Sequence, residues 1–195
     1  VVHSGSYANN DYKIRNYTVV TKDNKENDQT TLIDLTSYSQ LSDITSKMQI
    51  AGTGVINDSA LKISGNNGNP YLYTTVDTTK NDYRYYVYEA EIKYGDATNF
   101  NITTNAGGVV SRAVATNDSR VKLADWNKFL IIVDAKTAES KTYVNGALVS
   151  LKQNVAWKLR DAANNAMRVS FSGTGKTGAA YFKSFKLTAA NAAPS

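Results

Sequence analysis

Two carboxylates on one predicted strand are the groups in this sequence best spaced for acid–base chemistry. Glu89 and Glu91 are separated by one residue, so in a β-strand they share a face and lie roughly 6–7 Å apart. Carboxyl groups at such separations serve as the acid and base, or the acid and nucleophile, of glycoside hydrolysis. The alternative is that both are solvated strand carboxylates without a catalytic function.

Other catalytic machinery is missing from the sequence. His3 is the single histidine, and the chain has no cysteine. General base chemistry near neutral pH most often recruits histidine, and thiolate metal sites need cysteine. Residues 173–177 (GTGKT) match the second half of a phosphate-binding loop, but Ser170 stands where its first glycine belongs. These features argue against a nucleophilic triad and against a phosphate loop.

Binding of a sugar without chemistry needs fewer special groups. Sugar rings have apolar C–H faces that stack on aromatic side chains, and hydroxyl rims that hydrogen-bond to amide and guanidinium groups. The chain has 13 Tyr and 2 Trp; Trp157 is the better candidate for exposure, and Trp126 is predicted to be a core residue. The predicted ligand-binding residues are Trp157, Tyr85, Tyr83, Tyr71, Tyr73, Arg84, Arg112, Arg120, Asn99 and Asn101.

Three aspartates are candidate ligands for a structural calcium ion. Asp34, Asp58 and Asp77 lie near predicted turns or strand ends, and Ca²⁺ binds hard oxygen ligands of this kind. They are not spaced as a calcium-binding loop. We expect no other cofactor.

The candidate residues have to be positioned by β-structure, because Tyr, Thr and Val favour strands while Asn, Gly and Asp mark turns. The clearest unit is residues 126–149, where an apolar strand, a polar turn and a second strand lead to Asn145-Gly146. Asn-Gly suits a type I′ turn, since both of its central residues need a positive φ. The segment is predicted to be a three-stranded antiparallel meander.

The longest predicted strand covers residues 83–94 (YRYYVYEAEIKY). Alternation assigns one of its faces to the core and the other to a wetter surface. Turn signals at roughly 8–12-residue spacing elsewhere predict an all-β fold, either a sandwich or a jelly roll. The predicted core face is Tyr86, Tyr88, Ala90, Ile92 and Tyr94, and the wetter face is Tyr85, Val87, Glu89, Glu91 and Lys93.

Four patches, in order along residues 31–188, resemble the concanavalin A-like lectin/glucanase (laminin-G-like) jelly-roll domain. They are residues 59–65 (SALKISG), residues 85–93 (YYVYEAEIK), residues 126–146 with the pattern Trp, apolar strand, Asp and Tyr-Val-Asn-Gly, and residues 180–187 (AYFKSFKL). The resemblance implies a two-sheet antiparallel β-sandwich, a jelly roll of the kind used as a carbohydrate-binding module. Such domains commonly carry acids where this chain has Lys183 and Ser184, so any role of those acids is absent here.

Enzymes with this fold supply the catalytic alternatives. Jelly-roll glucanases carry E-x-D-x-x-E on such a strand, whereas this chain has only Glu89 and Glu91, with Tyr94 in place of the last acid. Jelly-roll alginate lyases end in Y-F-K, which residues 181–183 resemble, but their R-x-E-x-R and Q-I-H motifs are missing. Tyr181 and Phe182 are therefore interpreted as packing residues of the last strand.

The length of the chain favours a single domain, and its charge is distributed unevenly between the two halves of the sequence. The chain has 195 residues and a formal net charge of +5, divided into −3 for residues 1–105 and +8 for residues 106–195. A basic half favours an acidic partner such as a uronate polysaccharide, although the basic residues are scattered along the chain. We predict a single domain, residues 1–188, and a linker, residues 189–195, leading to a covalently linked catalytic or surface-anchoring domain.

The sequence thus favours a non-catalytic carbohydrate-binding module of a larger secreted bacterial protein, binding a polysaccharide, with pectin as an acidic example. The alternatives are a structural or adhesion module without glycan specificity and a polysaccharide lyase or glycoside hydrolase. We expect a monomer. We also expect no binding to nucleic acid, because no basic–aromatic cluster is visible in the sequence, and none to membranes, because no apolar run approaches about 20 residues.

Overall fold

Strands make up almost all regular structure in the part of the chain that the computed structural model describes. The described residues are 28–65, 71–77, 83–95, 99–103, 114–115, 117–152, 166–173 and 179–195. Their elements are β1 (Gln29–Leu35), α1 (Leu41–Thr45), β2 (Gln49–Ala51), β3 (Thr53–Asn57), β4 (Ala60–Ser64), β5 (Tyr71–Asp77), β6 (Tyr85–Lys93), β7 (Asn99–Thr103), β8 (Val114–Ala115), β9 (Asn127–Asp134), β10 (Glu139–Val144), β11 (Ala147–Lys152), β12 (Ala166–Gly173) and β13 (Ala179–Ala190).

The strands form two antiparallel sheets. The large sheet has eight strands in the order β11-β10-β9-β6-β13-β4-β3, with β1 also paired to β13. The small sheet has five strands in the order β2-β5-β12-β7-β8. One hydrophobic core joins the two sheets, because Leu72 of the small sheet belongs to the same buried cluster as Leu61 and Ile92 of the large sheet. The predicted two-sheet antiparallel β-sandwich is therefore confirmed.

Strand β6 supplies the centre of that core. The predicted inner residues Tyr86, Tyr88, Ala90, Ile92 and Tyr94 are all at most 5% exposed. Burial raises the pKa of the Tyr88 and Tyr94 hydroxyls, so both rings remain neutral core groups.

The opposite face of β6 is partly exposed, as the alternation predicts, with one exception. Val87 is only 8% exposed, because Ile132 and Thr188 flank it on the neighbouring strands β9 and β13. The prediction that Val87 is solvent-exposed is therefore wrong, although Val87 does lie on the predicted outer face of β6.

The predicted meander is confirmed as β9, β10 and β11. Asn145 and Gly146 have φ values of 51° and 83°, the pair of positive angles that a type I′ turn needs. Nothing lies within 4 Å of where a Cβ of Gly146 would be, so glycine is required there by backbone angle rather than by space.

The last strand has two features that the sequence pattern does not reveal. It runs to Ala190, three residues beyond the predicted strand end at Leu187, and Ala189 is fully buried. Its register also shifts between Phe182 and Ser184 where it pairs with β6. This β-bulge explains why Phe182 and Phe185, three residues apart, both point into the core.

Candidate functional site

Four of the predicted ligand-binding residues come together on one face of the small sheet. Tyr71 pairs in register with Ser172, which pairs with Asn101, although these positions are far apart in the sequence. Tyr73 lies two residues after Tyr71 on the same strand, and Asn99 two residues before Asn101, so each pair shares a side of its strand. We call this surface the front face; its positions are Gln49, Ala51, Tyr71, Tyr73, Asn99, Asn101, Thr103, Ser170 and Ser172.

The burial of its neighbours establishes which side of the small sheet the front face occupies. Leu72 lies between Tyr71 and Tyr73 and is 1% exposed within the core, so these two flanking positions belong to the other side. Leu72 pairs with the partly buried Ile50 of β2, which fixes the same side for the neighbouring strand. Tyr71 is 37% exposed. The front face is therefore the outer surface of the sandwich.

The front face has the side-chain types suited to a neutral polar ligand. One row across the strands reads Ala51, Tyr71, Ser172 and Asn101, and Tyr71 and Asn101 are two strand spacings, about 10 Å, apart. The next row reads Gln49, Tyr73, Ser170 and Thr103. Hydroxyl and amide groups with phenol rings can hydrogen-bond and stack, and none of these positions carries a formal charge. Farther along the same side of the sheet, Arg168 lies opposite Thr75 and Asp77 opposite Ala166.

Arg84, another predicted ligand-binding residue, is engaged within the protein. Its guanidinium donates to the Asp134 carboxylate over 2.9 Å from Nη2 and 3.3 Å from Nε, and it lies 4.8 Å from the Tyr85 ring centroid. Its backbone N–H donates to Asn191 Oδ1, and its carbonyl accepts from the Ala135 N–H. Arg84 thus ties the start of β6 to the β9–β10 turn and to the chain end after β13.

The charge of Asp134 is stabilised by this arrangement. Burial of its carboxyl opposes ionisation, but hydrogen bonds from Arg84 and from the backbone N–H groups of Lys136 and Thr137 outweigh that cost. The pKa of Asp134 is consequently lower than that of an ordinary aspartate. Tyr83, the remaining predicted contact in this region, is partly buried against the core.

Arg120 is part of a second internal network. Its guanidinium holds the Asp118 carboxylate at 2.7 Å and the Leu148 carbonyl at 3.0 Å, and its own carbonyl accepts from Asn145 Nδ2. Asn127, which is fully buried, accepts a second hydrogen bond from Asn145. Arg120 therefore has a structural role at this end of the large sheet, away from the positions of the front face.

Trp126 is where the sequence interpretation is wrong. The residue is partly exposed rather than buried, and two lysines lie over its ring: Lys93 Nζ at 5.3 Å and Lys183 Nζ at 5.8 Å from the centroid. Lys93 Nζ is also 4.9 Å from the Tyr181 centroid. We call this group the lysine–aromatic row; its residues are Lys62, Tyr181, Lys93, Trp126 and Lys183.

Strand pairing and two backbone features assemble the lysine–aromatic row. Lys62 and Lys93 are the register partners of Tyr181 on its two sides. The β-bulge after Phe182 leaves Lys183 on the outside, 54% exposed at its side chain. Gly95 has a φ of 53°, and a Cβ there would come within 2.5 Å of the Ala179 carbonyl oxygen and 2.9 Å of the Tyr181 ring. The expectation that this chain has no basic–aromatic cluster is therefore wrong.

Two predicted binding residues lie outside the described residues, namely Trp157 and Arg112. The side chains of Tyr73, Asn99 and Asn101 are likewise not described, so these three residues are placed by strand register alone.

Comparison with known proteins identifies the architecture. No family model and no curated protein matches this sequence. Among solved structures, winged bean acidic lectin complexed with methyl-α-D-galactose superposes with a TM-score of 0.58 at 9% identity, covering 84% of this chain and 99% of that one. A carbohydrate esterase of the Shiga toxin-encoding bacteriophage phi24B gives a TM-score of 0.57 at 10% identity, covering 84% and 100%. Peanut lectin, solved with a 9-residue peptide, gives 0.53 at 12% identity, covering 83% and 97%.

This chain has the concanavalin A-like jelly-roll fold. The predicted resemblance is confirmed at that level, and at these identities the likeness concerns the fold alone.

The two strand carboxylates of the jelly roll share its outer surface, as predicted. Glu89 is exposed and lies opposite Lys186, while Glu91 makes an ion pair with Lys183 over 3.7 Å. Lys128 is the register partner of Glu91 on β9. The Glu91 carboxylate is thus engaged in an ion pair within the protein.

The predicted calcium ligands lie on separate elements of the jelly roll. Asp34 Oδ1 accepts from the backbone N–H and the hydroxyl of Thr36, and these hydrogen bonds lower the Asp34 pKa. Asp58 is in the β3–β4 turn with a φ of 49°, and Asp77 ends β5. In the described part of the chain, no three Asp, Glu or His residues are grouped closely enough to hold a metal ion. No described helix is long and apolar enough to span a membrane.

Proposed function

We propose that this chain is a non-catalytic carbohydrate-binding module whose front face binds a polysaccharide. The observation that carries the proposal is the strand register, which gathers Tyr71, Tyr73, Asn99 and Asn101 on one outer surface. These four residues come from two separate segments of the chain, which β12 brings side by side. Tyrosine rings stack on sugar C–H faces, and amide groups hydrogen-bond to hydroxyls, so the set forms one continuous binding surface.

The jelly-roll neighbours give the proposal its context. Winged bean lectin was solved with a bound methyl galactoside, and the phage protein is described as a carbohydrate esterase. A sandwich of this shape thus serves proteins that act on or bind sugars. For this chain we propose the binding role, because the strand carboxylate Glu91 is paired with Lys183 and the single histidine, His3, is remote in sequence from the other candidate residues.

We further propose an extracellular setting. The module would act as a monomer, residues 1–188 would form one domain, and residues 189–195 would connect it to a catalytic or surface-anchoring domain of the same bacterial protein. Binding to an extended polysaccharide would then raise the effective concentration of the attached domain at its substrate.

The test is affinity electrophoresis through gels that contain neutral or acidic polysaccharides. The unmodified chain should be retarded by at least one of them, and the double variant Tyr73→Ala/Asn101→Ala should lose most of that retardation. The matched control Tyr143→Ala/Asn57→Ala removes the same side-chain types from the large sheet and should migrate like the unmodified chain. Absence of retardation by every polysaccharide would contradict the proposal.

The enzymatic alternative is tested with the same polysaccharides in a product assay. Each polysaccharide is incubated with the chain and assayed for new reducing ends and for unsaturated products. Product that disappears in Glu91→Gln would make the chain a hydrolase, and unsaturated product that disappears in Tyr181→Phe would make it a lyase. The binding proposal expects neither product.

A further inference from the structure

The lysine–aromatic row on the large sheet is positioned away from the front face and differs from it in charge. Cations and rings alternate along it: Lys62 lies over Tyr181 at 5.7 Å, Lys93 lies between Tyr181 and Trp126, and Lys183 lies over Trp126. The row runs across β4, β13 and β6 to the residue before β9.

The contacts hold the ammonium groups in place without neutralising them. A ring face attracts a cation through its quadrupole, but it carries no formal charge of its own. Glu91, 3.7 Å from Lys183, is the carboxylate that pairs with this row among the described residues, and Lys62 and Lys93 make no ion pair there. Three lysines and one glutamate leave two positive charges in excess. A row of positioned, uncompensated ammonium groups is complementary to a ligand that carries repeated negative charges.

We propose that the lysine–aromatic row is a second binding surface, specific for the carboxylate groups of an acidic polysaccharide. Lys62 and Lys93 are two strand spacings apart, about 10 Å at the backbone, so they can contact acidic groups on separate sugar units of one chain. The Tyr181 ring lies between them, and the Trp126 ring lies between Lys93 and Lys183, so the ring edges can contact the sugar units. This inference rests on the proposed glycan binding, but it places the contact on the large sheet and assigns it to charge attraction between lysines and carboxylates.

A polysaccharide is favoured over a single-stranded nucleic acid by the geometry of the rings. Nucleic acid binding of this kind depends on bases that stack flat on exposed aromatic faces. Here lysine ammonium groups lie over the faces of both rings, so stacked bases would have to displace them. Carboxylates of a sugar chain can instead approach the same ammonium groups from solvent and leave the lysine–ring contacts intact.

The experiment compares polygalacturonate with its fully methyl-esterified form by calorimetric titration. Esterification removes the charge of the carboxylates and keeps the sugar chain. Only polygalacturonate should therefore bind to the lysine–aromatic row. The double variant Lys93→Gln/Lys183→Gln should bind polygalacturonate at least about tenfold more weakly, because charge-assisted contacts are lost. The control Lys136→Gln/Lys141→Gln makes the same charge change in the β9–β10 hairpin and should bind within about twofold of the unmodified chain.

Trp126 variants test whether the rings matter. Trp126→Phe keeps a ring under the two lysines and should retain most of the polygalacturonate affinity, while Trp126→Ala should lose several-fold, roughly the value of two cation–π contacts. Equal affinity of Trp126→Ala and the unmodified chain would overturn the role of the rings. Circular dichroism and thermal unfolding of each variant verify that it is folded.

The outcomes separate this inference from the proposed function. Loss of polygalacturonate binding only in Lys93→Gln/Lys183→Gln supports the row, and the front face is then judged by whether Tyr73→Ala/Asn101→Ala loses binding of a neutral polysaccharide. Loss only in Tyr73→Ala/Asn101→Ala contradicts the row and supports the front face, while loss in both supports both. A chain that binds neither ligand contradicts the lysine–aromatic row, whereas the front face is contradicted only if the chain binds no polysaccharide of the wider panel. Binding of oligo-dT as tight as that of polygalacturonate, with the same loss in the lysine variant, would overturn the choice of a polysaccharide.

Discussion

The front face and the lysine–aromatic row, on the two outer surfaces of the sandwich, differ in charge. Register places an uncharged row, Tyr71, Ser172 and Asn101, on the front face, with Arg168 farther along the same side of β12, whereas the large sheet presents lysines and glutamates around Trp126 and Tyr181. Neutral hydroxyl and amide groups recognise sugar hydroxyls at short range, while ammonium groups act on charge over about 8–10 Å in physiological salt. One fold can therefore offer two kinds of recognition on opposite faces.

The largest effect is expected from a charge placed at the centre of the front face. Ser172 lies between Tyr71 and Asn101 on the middle strand of the small sheet, so a ligand bound there would bury it. Ser172→Glu should weaken binding of a neutral polysaccharide by about a hundredfold or more, because an unpaired carboxylate would be desolvated. Titration calorimetry measures the change.

A matched substitution on the other sheet serves as the control. Thr188 occupies an internal strand of the large sheet, on its outer face and flanked by Val87 and Thr31. Thr188→Glu should leave neutral-glycan affinity unchanged. If Ser172→Glu and Thr188→Glu bind equally well, the front face is not the binding surface and the contrast between the sheets loses its functional meaning.

A smaller effect, on stability rather than binding, is expected from the network beside Arg120. Asn127 exchanges hydrogen bonds with the backbone of Lys122 at 2.8 Å in both directions and accepts from Asn145. Asn127→Ala should lower the free energy of unfolding by about 2 kcal/mol, since it leaves buried polar groups unpaired. Urea denaturation checks this value, with the exposed Asn57→Ala as the unaffected control.

The same variant addresses a competing location for the ligand. If glycan affinity falls in Asn127→Ala while the protein stays folded, then the loop end near Arg120, which the sequence also selected, would contribute to binding. Unchanged affinity would leave the two sheet faces as the sites to compare.

Salt should change the affinity at the lysine–aromatic row a few-fold and leave the affinity at the front face unchanged. Raising the sodium chloride concentration from about 0.1 M to about 1 M shortens the Debye length from about 10 Å to about 3 Å. Polygalacturonate binding should weaken several-fold over this range, while binding of its methyl ester should stay constant. Equal salt dependence for both ligands would remove the distinction between a neutral and a charged face.

The smallest expected effect concerns Arg84 and pH. The folded-state pKa of Asp134 is lowered, so its contribution to stability is present above the unfolded pKa of about 4 and is lost as pH falls through the folded value. The stability difference between the unmodified chain and Asp134→Asn should therefore be constant at neutral pH and narrow as the pH falls below about 4. Thermal unfolding at pH 7, 4 and 2.5 measures it.

A substitution of Arg84 tests whether this arginine is structural or contacts the ligand. Arg84→Met should lower the unfolding midpoint slightly and leave the affinity for both glycans unchanged, because its guanidinium is used by Asp134 and Tyr85. A loss of affinity in a folded Arg84→Met protein would restore this arginine to the binding site.

Local patterns were sufficient to predict much of the fold. Alternation assigned the core residues of β6, and the Asn145-Gly146 pair located the tight turn of the meander, because both depend on neighbours in sequence. Trp126 was assigned wrongly for the opposite reason. Its surroundings come from Lys93 and Lys183, which lie 33 and 57 residues away along the chain and approach only through strand pairing and a β-bulge.

For the front face, too, the sequence indicated suitable residue types but not which of them lie together. Chemistry alone selected Tyr71, Tyr73, Asn99 and Asn101, together with residues such as Arg84 that are engaged elsewhere. What the sequence could not supply was the position of β12 between β5 and β7, which joins the two pairs into one surface. Pairing between strands about 70 to 100 residues apart depends on the whole core rather than on any local motif.

Amide hydrogen exchange with and without a bound neutral polysaccharide tests the central claim most directly. The account predicts that binding slows exchange in peptides that cover β5, β7 and β12, with no change in β6, β13 or the β9–β11 meander. Slower exchange confined to the large sheet or to the β9–β10 turn, with β5, β7 and β12 unchanged, would contradict it.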